Sequence, residues 1–353
     1  MPSSSPSSDP GHAGKSRLSA FFSGRSGIAL AVMVAGALVA ATAYALVSGD
    51  GEPKVRLPDP RRDIPVGALF GVHTKVEVKQ VDTIKAATTA LEEHLGRKLD
   101  INHNFYPWDK EFPTDVERWD LENGRIPMIS WNGKDVLASD IAGGKYDPMI
   151  QDRAVRVKEL GIDRPVMIRW FWEMDGRKKA EFAQSPAAYI AAWRHIHDTF
   201  DVMGATNVAW VWCPNASAFT DGEAQAFYPG DDYVDWVCAD GYNWAPGRPG
   251  DPWESFAEIF GGFYDWASKQ TKPIMIGEFG VQEGPTPGQK AGWVAETGNI
   301  IKTQFPLIKA VVYFNANQDY DWRMNTSPDA YQAFKDLAND PFFDAGLNRR
   351  LPQ

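Results

Sequence analysis

The segment PVMIRWFWE (residues 165–173) is apolar for most of its length and ends on an acidic side chain. A short apolar run of this kind reads as a strand buried on both faces, as in a parallel sheet. Working outward, seven more such runs occur: PVGALFGV (65–72), LDINHNF (99–105), IPMISW (126–131), VAWVWC (208–213), VDWVCAD (234–240), PIMIGEFG (273–280) and KAVVYFN (309–315). Longer amphipathic stretches lie between several of them, at 148–160, 186–203, 252–269, 287–304 and 328–338. Each begins near a proline, which a helix tolerates in its first turn. Eight strands alternating with helices predict an α/β fold, a closed parallel (β/α)8 TIM barrel. The alternative is a doubly wound open sheet, but no glycine-rich phosphate loop follows the first strand to favour it.

The 353 residues are 44% hydrophobic and 23% charged, which excludes a mainly disordered or fibrous protein. With 46 acidic against 36 basic residues the formal charge is −10, which argues against a nucleic-acid partner. The aromatic content is high, with 14 Trp, 19 Phe and 11 Tyr. A buried indole N–H needs a partner, so this abundance fits either a large core or a surface that stacks on sugar rings. Only two cysteines are present, Cys213 and Cys238, so neither a disulfide scaffold nor a CxxC metal site is expected. One bridge and two buried thiols both remain compatible with the sequence.

Residues 28–47, IALAVMVAGALVAATAYALV, carry no charge and match the ~20 residues a helix needs to span a bilayer. Lys15, Arg17 and Arg25 precede the run and Asp50 and Glu52 follow it, which directs the remainder of the chain out of the cytoplasm. Ala41-Thr42-Ala43 also fits a signal-peptide cleavage site. The expected organisation is a disordered cytoplasmic tail (1–26), a transmembrane signal anchor or signal peptide (27–48), a linker (49–62) and one catalytic domain (63–345). The domain is then extracytoplasmic, on a single-pass membrane protein or secreted if the helix is cleaved.

Barrel enzymes place their chemistry at the C-terminal ends of the strands. Two glutamates end strands that are otherwise apolar, Glu173 on the fourth and Glu278 on the seventh. A carboxylate there costs free energy unless paired, so each needs a reason. Two carboxylates facing one bond is the arrangement for glycoside hydrolysis. A simple salt bridge to a neighbour such as Arg169 explains one of them less awkwardly than it explains both.

The segments RWFWEMDG (169–176), AAYIAAWRHIHDTFDVMGATNVAWVWCPN (187–215), YPGDDYVDWVCADGYNW (228–244), KPIMIGEFG (272–280) and FPLIKAVVYFN (305–315) together closely resemble glycoside hydrolase family 26. That family includes β-mannanases and related β-glycan hydrolases of clan A, and the resemblance spans roughly residues 65–340. It implies a (β/α)8 barrel and a retaining double displacement with no cofactor and no metal. Glu173 resembles the family acid/base and Glu278 the nucleophile. Tyr242 resembles the tyrosine that hydrogen-bonds the nucleophile, Arg169 the arginine supporting the carboxylates, and Trp131 the tryptophan lining the sugar cleft. An ionised nucleophile wants donors, which Tyr242 and Arg169 can supply. An acid wants less polar surroundings, which Phe171 and Trp172 suit.

His103, Trp108, Trp172, Trp212, Trp244, Asn315 and Trp322 complete the expected substrate contacts. The implied partner is a polysaccharide or oligosaccharide, β-1,4-mannan first and a lichenase-type β-glucan as the alternative. A catalytically degenerate glycan-binding protein is the reading from a different class.

The sequence departs from the family at three places. Trp172-Glu173-Met174-Asp175-Gly176 stands where the family usually has His-Glu-Met-Asn-Gly, and an indole can only donate. Arg177-Lys178-Lys179 follows where an aromatic residue is often found, and reads as a solvated basic loop or a contact for an acidic glycan. Asn315 ends the last strand where many members carry a tryptophan. His73 and His103, at adjacent strand ends, are expected to hydrogen-bond sugar or neighbours rather than a metal. Trp193, Trp266 and Trp293 are expected to pack helices on the barrel.

Overall fold

The computed structural model describes residues 57–344. The tail and the apolar run 28–47 lie outside the described residues. No helix among the described residues is long and apolar enough to cross a membrane.

Eight strands alternate with the helices: β1 Leu69–Thr74, α1 Val81–Leu95, β2 Ile101–Tyr106, α2 Asp115–Glu122, β3 Ile126–Trp131, α3 Ala138–Ala142, α4 Asp147–Lys158 and β4 Val166–Trp170. Then come α5 Ala180–Ala183, α6 Pro186–Met203, β5 Val208–Trp212, β6 Trp236–Asn243, α7 Phe256–Ala267, β7 Ile274–Val281, α8 Gln289–Thr303, β8 Ile308–Asn315 and α9 Pro328–Ala338. The strands close in sequence order into a barrel, and β1 pairs in parallel with both β2 and β8. This is the TIM barrel the spacing predicts.

Local chemistry sets the element ends. α6 and α9 open on Pro186 and Pro328 behind serine caps, with Ser185 and Ser327 accepting from the N–H of Ala188 and Ala330. Pro252 and Pro287, by contrast, precede their helices. α7 starts only after Ser255, whose hydroxyl accepts the Glu258 N–H at 3.2 Å in a capping box. The passage from β5 to β6 carries no α-helix but three 3-10 turns, Ala216–Phe219, Ala224–Phe227 and Asp231–Tyr233.

The stretch read as linker needs a correction at its end. Leu57 is buried in the core, and the Pro60 carbonyl accepts from Trp236 Nε1 at 2.8 Å. Trp236 starts β6 and belongs to the apolar cluster inside the barrel, so the last linker residues help close that end of the fold.

Strand residues alternate between two apolar clusters. Ile126, Met128, Val211 and Val312 belong to the inner one, while Ile129, Trp131, Trp210 and Trp212 belong to the larger core under the helices. That alternation breaks on β7, next to the site. Ala239 pairs with Ile276 but Asp240 with Glu278, and on the other side Ile276 and Phe279 pair with Val311 and Tyr313. Gly277 is therefore an extra residue in a β-bulge, the device that re-aims a side chain. A Cβ at Gly277 would fall 2.3 Å from Cys238 Sγ, 2.7 Å from Cys213 Sγ and 2.8 Å from Asp240 Oδ1, so only glycine fits. The two cysteines form a disulfide across β5 and β6.

Candidate active site

The bulge leaves Glu278 at the barrel mouth beside Arg169 and Tyr242. One carboxylate oxygen accepts from Arg169 Nη2 and the other from the Tyr242 hydroxyl. Arg169 also meets Asp240, with Nη1 donating to both carboxylate oxygens at 2.8 and 2.7 Å. Arg169 and Asp240 are fully buried and Glu278 nearly so. Burial works against the Arg169 charge, but Asp240 and Glu278 outweigh it and raise its pKa. Burial and the neighbouring carboxylates, Glu278 foremost, hold the Tyr242 phenol well above its usual range, so it stays a donor. Burial also pushes Asp240 up, against the pull of Arg169.

A lower layer fixes the guanidinium. Arg169 Nε donates to Ser130 Oγ at 2.8 Å, which frees the Ser130 hydroxyl to donate to His103 Nε2 at 2.6 Å. The proton of His103 then sits on Nδ1. Burial and the Arg169 charge hold His103 well below its ordinary pKa, and burial takes His73 down to about 3. Both imidazoles are neutral. His73 Nδ1 lies 2.9 Å from the His103 carbonyl, so the two rings hydrogen-bond neighbours, one of the two uses expected of them. His103 is wholly buried; it orients Arg169 through Ser130 and does not reach a substrate, contrary to its expected role.

Glu173 sits differently. It follows the end of β4 with φ 53°, and Phe171 has φ 43°, both in the left-handed region that costs a non-glycine residue about 1–2 kcal/mol. This kink lets Trp172 pack on the inner cluster while Phe171 packs beside Trp170 and Tyr189. Phe171 is therefore not the apolar neighbour it was expected to be. The Glu173 N–H donates to the Cys213 carbonyl at 2.7 Å. Its side chain is 27% exposed, against 6% for Glu278. Its charge acts on Arg169, Asp240 and Tyr242, which places both glutamates around one mouth. The Lys179 ammonium lies 3.3 Å from Glu173 Oε2. Asp175 accepts from the backbone and side-chain N–H groups of Asn215 at 3.0 and 2.9 Å, tying the loop after β4 to that after β5.

The aromatic residues divide. Trp172 and Trp244 are half-buried at the mouth, and Trp322 packs beside Tyr242 with ring centres 4.9 Å apart. Trp131, Trp108 and Trp212 need correction. Trp131 and Trp212 are completely buried on the helix side of their strands. Trp131 stacks on Trp108 at 4.5 Å and donates its indole N–H to the Trp108 carbonyl. Trp212 packs on Phe219, Tyr228 and Trp266. None of the three lines a cleft. Asn315 is also placed elsewhere: its Oδ1 accepts the Met324 N–H at 2.9 Å and so holds the loop after β8. Trp193 and Trp293 are buried against the barrel, as expected of helix tryptophans.

Sequence reasoning gave Asp240 and Ser130 no role at the site, and read Lys179 only together with Arg177 and Lys178, as a solvated basic loop or a contact for an acidic glycan. Asp240 had a signal, since it lies two residues before Tyr242 on one strand and so shares its face. Ser130 and Lys179 had none in spacing.

Comparison with known proteins fits this geometry. The model of glycosyl hydrolase family 26 matches residues 128–342. Endoglucanase H of Acetivibrio thermocellus is 36% identical over 262 residues, 71% of this chain and 29% of that protein. The β-1,3-xylanase TXYA of a Vibrio species is 26% identical over 226 residues, 56% of this chain and 44% of that protein. The chain thus spans less than half the length of either relative. A family 26 β-mannanase structure from Bacteroides ovatus shares the fold, with a TM-score of 0.58 at 16% identity over 80% of this chain and 92% of that one. With well over half its residues matched by the family model, the chain belongs to glycosyl hydrolase family 26.

Proposed function

We propose that the protein is a retaining glycoside hydrolase acting on a β-linked polysaccharide, with Glu278 as nucleophile and Glu173 as acid/base. The observation that carries this is the contrast between a buried carboxylate held by two donors and a more exposed one across the same mouth. In the first step Glu278 attacks the anomeric carbon. The C–O bond to the leaving sugar breaks, and Glu173 delivers its proton to the departing oxygen. In the second step Glu173 takes a proton from water, which displaces Glu278 and restores the starting configuration. Arg169 and Tyr242 keep Glu278 aimed, each donating a hydrogen bond to one of its carboxylate oxygens. Trp172 and Trp244 offer ring faces for sugar stacking.

Mannan is the substrate the family resemblance brings first. A β-glucan is the second reading, and the 36% identity to an endoglucanase favours it. Reducing-sugar release from β-1,4-mannan, mixed-linkage β-glucan and β-1,3-xylan decides between them. Proton NMR of the first-formed anomer tests the mechanism. A β product is expected, and an α product would overturn double displacement. No release from any of the three would favour a degenerate glycan-binding protein. We also propose that residues 28–47 hold the catalytic domain outside the cytoplasmic membrane, or export it after cleavage. Protease accessibility of the domain in intact cells tests this.

A further inference from the structure

The basic triplet after the acid/base motif splits in space. Arg177 and Lys178 are exposed, but Lys179 folds back over the mouth, its side chain only 14% exposed. Its ammonium donates to the Trp172 carbonyl, lies 3.3 Å from Glu173 Oε2 and sits 4.1 Å from the centre of the Trp172 ring. Three contacts on two consecutive residues fix it there. We propose that Lys179 is a positioning residue for Glu173: it pins the kinked backbone after β4 and stabilises the carboxylate that remains when Glu173 gives up its proton. This rests on the acid/base role of Glu173 proposed above.

The other charged groups facing Glu173 leave this task to Lys179. Arg169, on β4, is committed to Asp240 and Glu278. Asp175, in the same loop, is tied to Asn215. From β6, Asp240 and Tyr242 contribute a carboxyl paired with Arg169 and a protonated phenol. From β7, Glu278 is held by Arg169 and Tyr242. Lys179 is thus the cation nearest Glu173 that no other carboxylate already claims. Burial draws the Lys179 pKa down while the Glu173 charge draws it up, so the two groups share one electrostatic environment.

The ammonium, 3.3 Å from Oε2, attracts the carboxylate form of Glu173 and exerts no such pull on the neutral acid. The activity limb that falls as Glu173 deprotonates is the alkaline one. Removing the charge should therefore move that limb upward. The test is the pH dependence of kcat/KM, which reports the free enzyme, for wild type, Lys179→Met and Lys179→Arg on the polysaccharide turned over fastest. Lys179→Met should raise the alkaline limb by about one pH unit, and Lys179→Arg should leave it near wild type. An unmoved limb in Lys179→Met, or an equal shift in both variants, overturns the proposal. If Lys179→Met loses its melting transition, Lys179→Gln, which keeps a donor for the Trp172 carbonyl, takes its place with the same expected shift. Azide rescue of Glu173→Ala separates the two readings. Failed rescue removes the acid/base assignment itself, while intact rescue with an unmoved limb removes only the role of Lys179.

Discussion

The ends of β4 and β7 each deliver one glutamate to the same mouth, by opposite means. At β7 a bulge at Gly277 turns Glu278 inward while the strand continues, and its carboxylate meets a guanidinium and a phenol in a nearly dry setting. At β4 the strand stops, two residues with positive φ kink the chain, and Glu173 emerges more exposed beside a lysine. A nucleophile must hold one charge state and one direction, which fixed donors and rigid strand geometry provide. An acid/base must exchange protons with a leaving group and with water, which requires access. The same residue type thus stands in two different surroundings, which suit the two roles proposed for it.

Three substitutions test this contrast, from the largest expected effect to the smallest. Glu278→Ala should abolish turnover of every substrate, by about 10⁵-fold or more in kcat, since no other group can take its bond to the sugar. Residual activity within tenfold of wild type would move the nucleophile elsewhere. Glu173→Ala should cut hydrolysis of polysaccharide by roughly 10³-fold while sparing activated aryl glycosides. Added azide should then yield a glycosyl azide of retained configuration. Equal loss on both substrates without rescue would erase the difference drawn between the two carboxylates. Gly277→Ala should destabilise the fold by about 1–3 kcal/mol, read as a lower urea midpoint, because its Cβ meets two sulfurs and a carboxylate. A midpoint matching wild type would show that the bulge has slack the close contacts do not suggest.

Much of the architecture was legible because it rests on period and composition. Eight apolar runs give eight strands, and Pro186 and Pro328 mark the first residues of α6 and α9. Glu173 and Glu278 stood out as carboxylates ending apolar strands, the family resemblance added Arg169 and Tyr242, and the fold gathers all four. The tryptophans were less legible. A strand end says that a residue is near the mouth, but which face it occupies depends on register, and one step sends it to the helix side. Trp131 and Trp212 took that side, and Trp108 followed Trp131.

By itself, then, the sequence determined the barrel and the two carboxylates, because local periodicity and the cost of burying charge act on neighbouring residues, while their arginine and tyrosine partners came from the family resemblance those residues carry. Only the tertiary structure decided which tryptophans leave the cleft, that Gly277 turns Glu278 inward, and that Lys179 rather than Arg177 or Lys178 reaches Glu173. Those outcomes depend on strand register and on contacts between separate loops. A linear pattern does not encode them, because the distances that matter arise only when the barrel closes.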